Sequence, residues 1–209
     1  MSQPLTILGR KNSVNVMKTM WAAAELGLSV NRQDVGGPFG YDHVPEYPGM
    51  NPNMRVPTMI DGGLILWESN VIVRYLAEKH GRGSLWPEEP ATRWEAEKWM
   101  DWQHTTLSIH MSNILYHTVR LSPEERDENL IETSRVSAIA GWKILDAHLA
   151  DRAFVTGDSF TMGDIPLGCH AYRWHYFAIE RPELPNLKAW YERLQERPAY
   201  REHVLQPLS

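Results

Sequence analysis

The chain of 209 residues predicts an α/β N-terminal domain followed by an all-α C-terminal helical bundle. Three observations carry this. Short β-prone runs, two amphipathic helices and a hairpin occupy residues 5–80. Long helical periodicity without strand alternation begins at residue 92 and runs on. Between them Gly81-Arg82-Gly83-Ser84 breaks all periodicity and reads as a linker, dividing the chain into domains 1–81 and 87–209.

Leu5-Thr6-Ile7-Leu8 is a short strand stopped by Gly9. Val16, Met17, Met20, Trp21 and Ala24 then recur at three- and four-residue steps until Gly27, the pattern of a helix with one buried face. Asn12 or Ser13 precedes it as a natural N-cap. Residues 29–35 follow as an edge strand, since a β-α-β unit of this spacing lays its second strand parallel to the first. The stretch 36–53 is rich in Gly, Pro and Asn; a loop of that length in a compact domain is usually functional, with a short helix expected around 42–47.

Two apolar runs, 58–60 and 64–67, flank Asp61-Gly62-Gly63, a strong hairpin signal. Pro57 marks the start of the first run, because proline donates no hydrogen bond to a ladder. A cis bond before it would turn the backbone of Val56 outward, where its N–H and C=O pair with an extended peptide. Glu68-Ser69 closes the hairpin and opens a helix carrying Val71, Ile72, Tyr75 and Leu76, which Gly81 stops. Ser69 therefore sits at a helix N-terminus, where free N–H groups favour a carboxylate, and Glu68 beside it suits an ammonium. An α-amino-acid head group satisfies both.

In the second domain, 92–115 and 123–149 read as long helices, with Trp94, Trp99, Trp102, Trp142 and Leu145 on their faces. Phe160-Thr161-Met162-Gly163-Asp164 carries a capping box with Phe160 as a staple against Ile165, starting a buried helix from 165 to about 179. Cys169 lies in that helix and reads as a small core residue.

Composition narrows the function. The chain is 43% hydrophobic and 22% charged, ordinary for a soluble globular protein. It carries 21 Lys plus Arg against 26 Asp plus Glu, for a net charge of −5. Without a clustered basic run, a nucleic-acid partner is excluded. A single cysteine permits no internal disulfide and fits a reducing compartment. No basic-then-apolar leader opens the sequence and no apolar run reaches membrane-spanning length, so a cytoplasmic protein without a membrane partner is expected. None of the nine histidines stands four residues from another, so no metal site is expected.

Val56-Pro57, followed by Glu68-Ser69 opening a helix, resembles the glutathione site of the cytosolic glutathione transferase superfamily, and the likeness extends over the whole chain. The strand and helix order is similar to the thioredoxin-like domain of those enzymes, and the turn holding Ser13 resembles that of their bacterial, theta-like serine type. That group often has proline soon after the serine; here the sequence is Ser13-Val14-Asn15. The resemblance implies glutathione as co-substrate with no further cofactor, a homodimer, a role in detoxification, and conjugation to a small apolar electrophile. Ser13 or its neighbour Asn12 would stabilise the thiolate. Asn15, His43, Arg55, Val56, Pro57, Glu68 and Ser69 would hold glutathione, with Arg10 facing the same cleft. Trp102, His110, Met111 and Trp174 are candidates for a second-substrate pocket, which the tryptophan-rich bundle suggests is bulky and apolar.

Thiolate, not thiol, is the nucleophile. Lowering a thiol pKa by about two units needs roughly 2.7 kcal/mol of anion stabilisation, within reach of a hydroxyl donor at a helix N-terminus. The alternatives are a non-catalytic ligand-binding protein of the same fold, or a glutathione-dependent peroxidase or dehalogenase. A thiol-disulfide oxidoreductase would want cysteine where Asn12-Ser13 stands.

Overall fold

A computed structural model describes residues 5–208; the outer ends of both expected domains, 1–4 and 209, lie outside them. Strand β1 (Leu5–Leu8) leads through helix α1 (Val14–Glu25) to β2 (Val30–Gln33), which lies parallel to β1 with Leu5 opposite Val30. β3 (Thr58–Asp61) runs antiparallel to β1, and β4 (Leu64–Trp67) returns beside it through the Asp61-Gly62-Gly63 turn. The sheet order is β2-β1-β3-β4, with β2 at one edge as its place in the β-α-β unit demands. The Val56–Pro57 peptide bond is cis.

Successive residues of β1 face opposite sides of the sheet. Ile7 joins Met59, Val16, Met17, Ile72 and Leu76 beneath α1 and α3 (Ser69–His80), whereas Leu8 joins Val35, Val44 and Tyr47 on the other side. In the long loop, the expected helix at 42–47 forms later, as α2 (Tyr47–Met50), with a 3₁₀ turn at Gly37–Phe39. Pro45 would fall in the interior of a helix over 42–47, whereas Pro48 fits the first turn of the one that forms.

The second domain opens with α4 (Pro90–Trp102), capped when the Glu89 carboxylate accepts from Thr92 N–H at 2.6 Å. It continues through a π-helical turn, Gln103–Leu107, into α5 (Ser108–Leu115), and ends in a second π-helical turn, Tyr116–Arg120. The helix expected from 123 starts later, as α6 (Glu128–His148). Ser122 and Glu125 close a capping box around a separate 3₁₀ turn, and Asp127 then caps α6 through Leu130 N–H at 2.9 Å.

Helix α7 (Asp164–Tyr176) realises half of its expected box. The Asp164 carboxylate accepts from Thr161 N–H at 3.0 Å, but the Thr161 hydroxyl pairs with that of Thr156 at 3.2 Å and caps nothing. The Phe160 ring lies against Trp21 and Phe154, under the Arg197 guanidinium. Phe177 turns extended, ending α7 short of 179. Helices α8 (Pro185–Gln195) and α9 (Pro198–His203) complete the chain, each with proline in its first turn.

The two domains share one core. Trp21 of α1 lies so close to Gly168 of α7 that a Cβ there would stand 2.8 Å from the indole, a contact only glycine permits. The Tyr200 hydroxyl donates to Gly168 C=O at 2.9 Å from the other side. Cys169 is buried in this seam, which pushes its thiol up to about 12. Among the described residues, no helix is long and apolar enough to cross a membrane.

Candidate functional site

Two close approaches set the site. A Cβ at Gly9 would lie 2.5 Å from Val16 and 3.0 Å from Val56, so glycine at the end of β1 lets the start of α1 and the cis Val56–Pro57 loop meet. Ser13 occupies the N-cap position of α1 in extended conformation, yet its side chain makes no capping hydrogen bond. Capping, the common use of serine before a helix, is not what this hydroxyl does. Ser13 is 7% exposed, and what is exposed faces a cavity of about 430 Å³ between the domains.

Val56 lines the same cavity. Its N–H and C=O take no part in backbone hydrogen bonds among the described residues, leaving a peptide edge open. The loop carrying it is fixed from below: Arg55 C=O accepts from the Tyr47 hydroxyl at 2.6 Å and from Asn51 Nδ2 at 2.8 Å. Arg55 itself is exposed and lines the cavity, as do Arg10 and Tyr41.

From there a groove follows the first turn of α1. Asn15 lines the Ser13 cavity and also the adjoining depression formed by Glu68, Ser69 and His104. The Ser69 hydroxyl donates to Asn15 Oδ1 at 3.2 Å, so the N-termini of α1 and α3 converge and bring two positive dipole ends together. Glu68 holds φ +71° and ψ 108°, a backbone region that costs a non-glycine residue about 1–3 kcal/mol and clusters at functional sites.

The remaining expected residues divide. Pro57 is buried beside Val56 and supplies the cis bond. Asn12 is half-buried but does not line the cavity. His43 is exposed and outside it; its Nε2 lies 2.8 Å from Asp34 C=O, which ties the ring to β2's end. Of the second-pocket candidates, Met111 and Trp174 are buried in the core, and Trp102 and His110 lie off the cavity. Trp99, Trp142, Trp174 and Trp190 thus fill the interior of the bundle, while Trp94 is exposed.

What faces Ser13 from the helical domain is mostly polar. Ser112, Asn113, Leu115, Tyr116, Arg120 and Arg173 form the wall contributed by the helical domain. Arg173 is only 3% exposed, and its Nε has no hydrogen-bond partner. Burial, and then the nearby Arg120, lower its pKa to about 10. Burial and Arg120 likewise lower Arg10. Sequence reading passed over Arg173, although a charge within the otherwise buried run Ile165-Pro166-Leu167-Gly168-Cys169 and beyond was a usable signal, because arginine is almost never fully buried unless paired.

Behind α1 runs a buried polar thread. Lys18 donates to Gln103 Oε1 at 3.2 Å, and Gln103 Nε2 donates to Ser108 Oγ at 2.7 Å while standing 3.3 Å from the His170 ring nitrogens. Burial lowers Lys18 to about 8 and holds His170 well below its ordinary value. Among the described residues no group of three or more His, Cys, Asp or Glu is arranged to hold a metal ion.

Comparison with known proteins gives consistent results. Residues 3–78 match the glutathione S-transferase N-terminal domain family, and residues 128–193 match the corresponding C-terminal domain family. The chain is 44% identical over 207 residues to glutathione S-transferase GstB of Escherichia coli K12, covering 98% of this chain and 100% of that protein. It is 27% identical over 170 residues to glutathione S-transferase D7 of Drosophila melanogaster, covering 80% and 74%. Among solved structures, the theta class glutathione S-transferase of Xanthomonas axonopodis pv. citri with glutathione bound is 44% identical. It superposes with a TM-score of 0.95 over 99% of this chain and 100% of that one.

Proposed function

The chain belongs to the glutathione S-transferase family and is a transferase acting on glutathione; from that premise we propose that Ser13 is the residue that donates to the glutathione sulfur. The observation that carries this is a hydroxyl released from capping, at a helix N-terminus, in the same cavity as the open peptide edge of Val56. The cysteinyl unit of glutathione pairs with Val56. Its γ-glutamyl head lies along Asn15 to Ser69, the carboxylate on the α3 N-terminus with the Ser69 hydroxyl turning to it from Asn15 Oδ1, and the ammonium at Glu68. Arg55 is placed for the glycyl carboxylate. Asn12, one residue from Ser13, is the alternative donor.

The chemistry is a nucleophilic displacement or addition. The bound thiol gives its proton to solvent, the thiolate forms a C–S bond with an electrophilic carbon, and the leaving group departs with its electron pair. Hydroxyl donation and the helix dipole hold the thiolate at neutral pH, supplying the roughly 2.7 kcal/mol that a shift of about two units requires. We place the reaction in the cytoplasm, in a homodimer with a detoxifying role, as for the family the sequence resembles.

The test is the ultraviolet absorbance of bound glutathione thiolate against pH, in the wild type and Ser13→Ala. Thiolate appearing below the free thiol's pKa of about 8.5 in the wild type, and only near it in the variant, is the expected result. A shift that survives Ser13→Ala moves the role to Asn12 or to the helix end. Absence of glutathione binding in the wild type would leave a non-catalytic member of the fold.

A further inference from the structure

We infer that the second substrate is an electrophile bearing a carboxylate or comparable anionic group, and that Arg173 is the residue that receives it. The inference rests on the reading of Ser13 and Val56 as the glutathione site, and it names what stands opposite.

Arg173 is a guanidinium sunk in the wall of the catalytic cavity with an orphaned Nε. A buried arginine is normally paired with a carboxylate, since an uncompensated charge in the interior is costly. Here the described surroundings hold none: the groups that act on Arg173 are Arg120, Arg10, the Cys169 thiol and the Tyr172 phenol. Among the described residues no Asp or Glu lines the cavity, whereas Arg10, Arg55, Arg120 and Arg173 all do. Arg10 is held in place against Gly37, whose Cα carries no Cβ to displace it: a Cβ there would stand 3.2 Å from the guanidinium nitrogens. The like charges of Arg120 and Arg10 disfavour the charged form of Arg173 unless an anion meets its guanidinium.

Glutathione does not answer to Arg173. Its carboxylates are assigned to Ser69 with the α3 N-terminus and to Arg55, both on the N-terminal domain, whereas Arg173 projects from α7 of the helical domain. The wall behind the sulfur is where the electrophile must lie. A planar fork of N–H donors there matches a carboxylate in two parallel hydrogen bonds. The arginine orients the substrate and takes no part in bond making: thiolate attacks the ring or alkyl carbon, the C–S bond forms, and the halide leaves with the bonding pair.

A matched pair separates charge from reactivity: 4-chloro-3-nitrobenzoate and 4-chloro-3-nitrobenzamide, both losing chloride to glutathione. The wild type is expected to prefer the benzoate in kcat/KM by at least tenfold after correction for the uncatalysed rates. Arg173→Gln should erase most of that preference, chiefly through KM of the benzoate, and Arg173→Lys should restore part of it. Equal losses on both substrates would mark Arg173 as structural and overturn the inference. So would an unchanged preference, or a tenfold rise in KM for glutathione alone, which would give the arginine to a glutathione carboxylate. If Arg173→Gln does not fold, inhibition of the wild type by unreactive benzoate against benzamide decides: competition with the electrophile by benzoate alone supports the inference, and equal inhibition overturns it. Failure of the wild type to bind glutathione is a different result and strikes the proposed function itself.

Discussion

The Ser69 hydroxyl donates to Asn15 Oδ1 across 3.2 Å, joining the first turns of α1 and α3 although the residues are 54 apart in sequence. The bond aligns the two helix N-termini along one groove. Ser69→Ala removes both this strut and, in the proposed binding mode, the hydroxyl proton that turns from Asn15 Oδ1 to the glutamyl carboxylate when glutathione enters. A charge-assisted hydrogen bond is worth about 1.5–3 kcal/mol, so glutathione affinity by calorimetry should fall by roughly ten- to a hundredfold. Asn15→Ala removes the strut alone, a neutral bond of about 1 kcal/mol, and the loss should be near fivefold. Equal losses in the two variants would mean that Ser69 acts only by holding Asn15.

Glu68 should trade stability for binding. Its positive φ suits glycine, which meets no Cβ penalty there. Glu68→Gly relieves about 1–3 kcal/mol of backbone strain and gives back part of it as greater freedom of the unfolded chain. A net gain of about 1 kcal/mol corresponds to a rise of about 2–4 °C in Tm for a chain of this size. Glutathione affinity should fall in the same variant, since in the proposed binding mode Glu68 is the partner of the glutathione ammonium. A lower Tm together with unchanged affinity would remove Glu68 from the site.

His170 should make the fold acid-sensitive. It is buried, and burial and then the neighbouring cations Lys18 and Arg173 hold its pKa well below the ordinary value of 6.5. As pH falls through 6.5 the unfolded chain binds a proton that the native state refuses, so stability is present above that pH and is lost below it, by up to about 1.4 kcal/mol per pH unit. Asp164 works in the opposite sense, because burial raises its pKa from 3.8 to about 6 and the native state then holds the extra proton. Comparing denaturant midpoints of wild type and His170→Gln from pH 7 to pH 5 isolates the histidine: the variant should show the shallower dependence on pH. Parallel profiles would show that His170 is not the group being titrated.

How much of this was legible in the sequence follows the range of the forces involved. Gly9, the cis-prone Val56-Pro57 and the Asp61-Gly62-Gly63 turn are local backbone signals, and the sheet formed around them as expected. Ser13 was legible as a residue before a helix but not as an uncapped hydroxyl, because whether a serine caps depends on its rotamer. The capping box of α7 failed by half for the same reason: Thr161 found Thr156, a partner no spacing rule names. The opposing wall of the cavity was hidden most completely. The sequence offered Met111 and Trp174 as candidates for the second-substrate pocket, and both face the core; Ser112 and Arg173, one residue on and one residue back, face the cavity. Which side of a helix meets a neighbouring domain is set by tertiary packing, and a charge in a buried run is then the better guide than an aromatic on a periodic one.

The seam between domains offers the last prediction. Arg197, at the start of α9, grips Glu25, at the end of α1, through two hydrogen bonds of 2.8 and 2.6 Å. Glu25 also accepts from the Trp21 indole at 2.8 Å, and the Arg197 guanidinium lies 4.0 Å over the Phe160 ring. Exposed ion pairs contribute little, but here the Glu25 side chain is only 11% exposed and the geometry is bidentate, so the pair belongs with the charge-assisted class. Either Glu25→Ala or Arg197→Ala should cost about 2 kcal/mol and lower Tm by about 4–8 °C. Because each variant breaks the same contact, the double variant should cost much less than the sum, with a coupling energy of about 1–2 kcal/mol. Additive losses would mean that Trp21 and Phe160, not the ion pair, hold the two domains at this corner, and would move the origin of their rigid junction to the aromatic packing around Gly168.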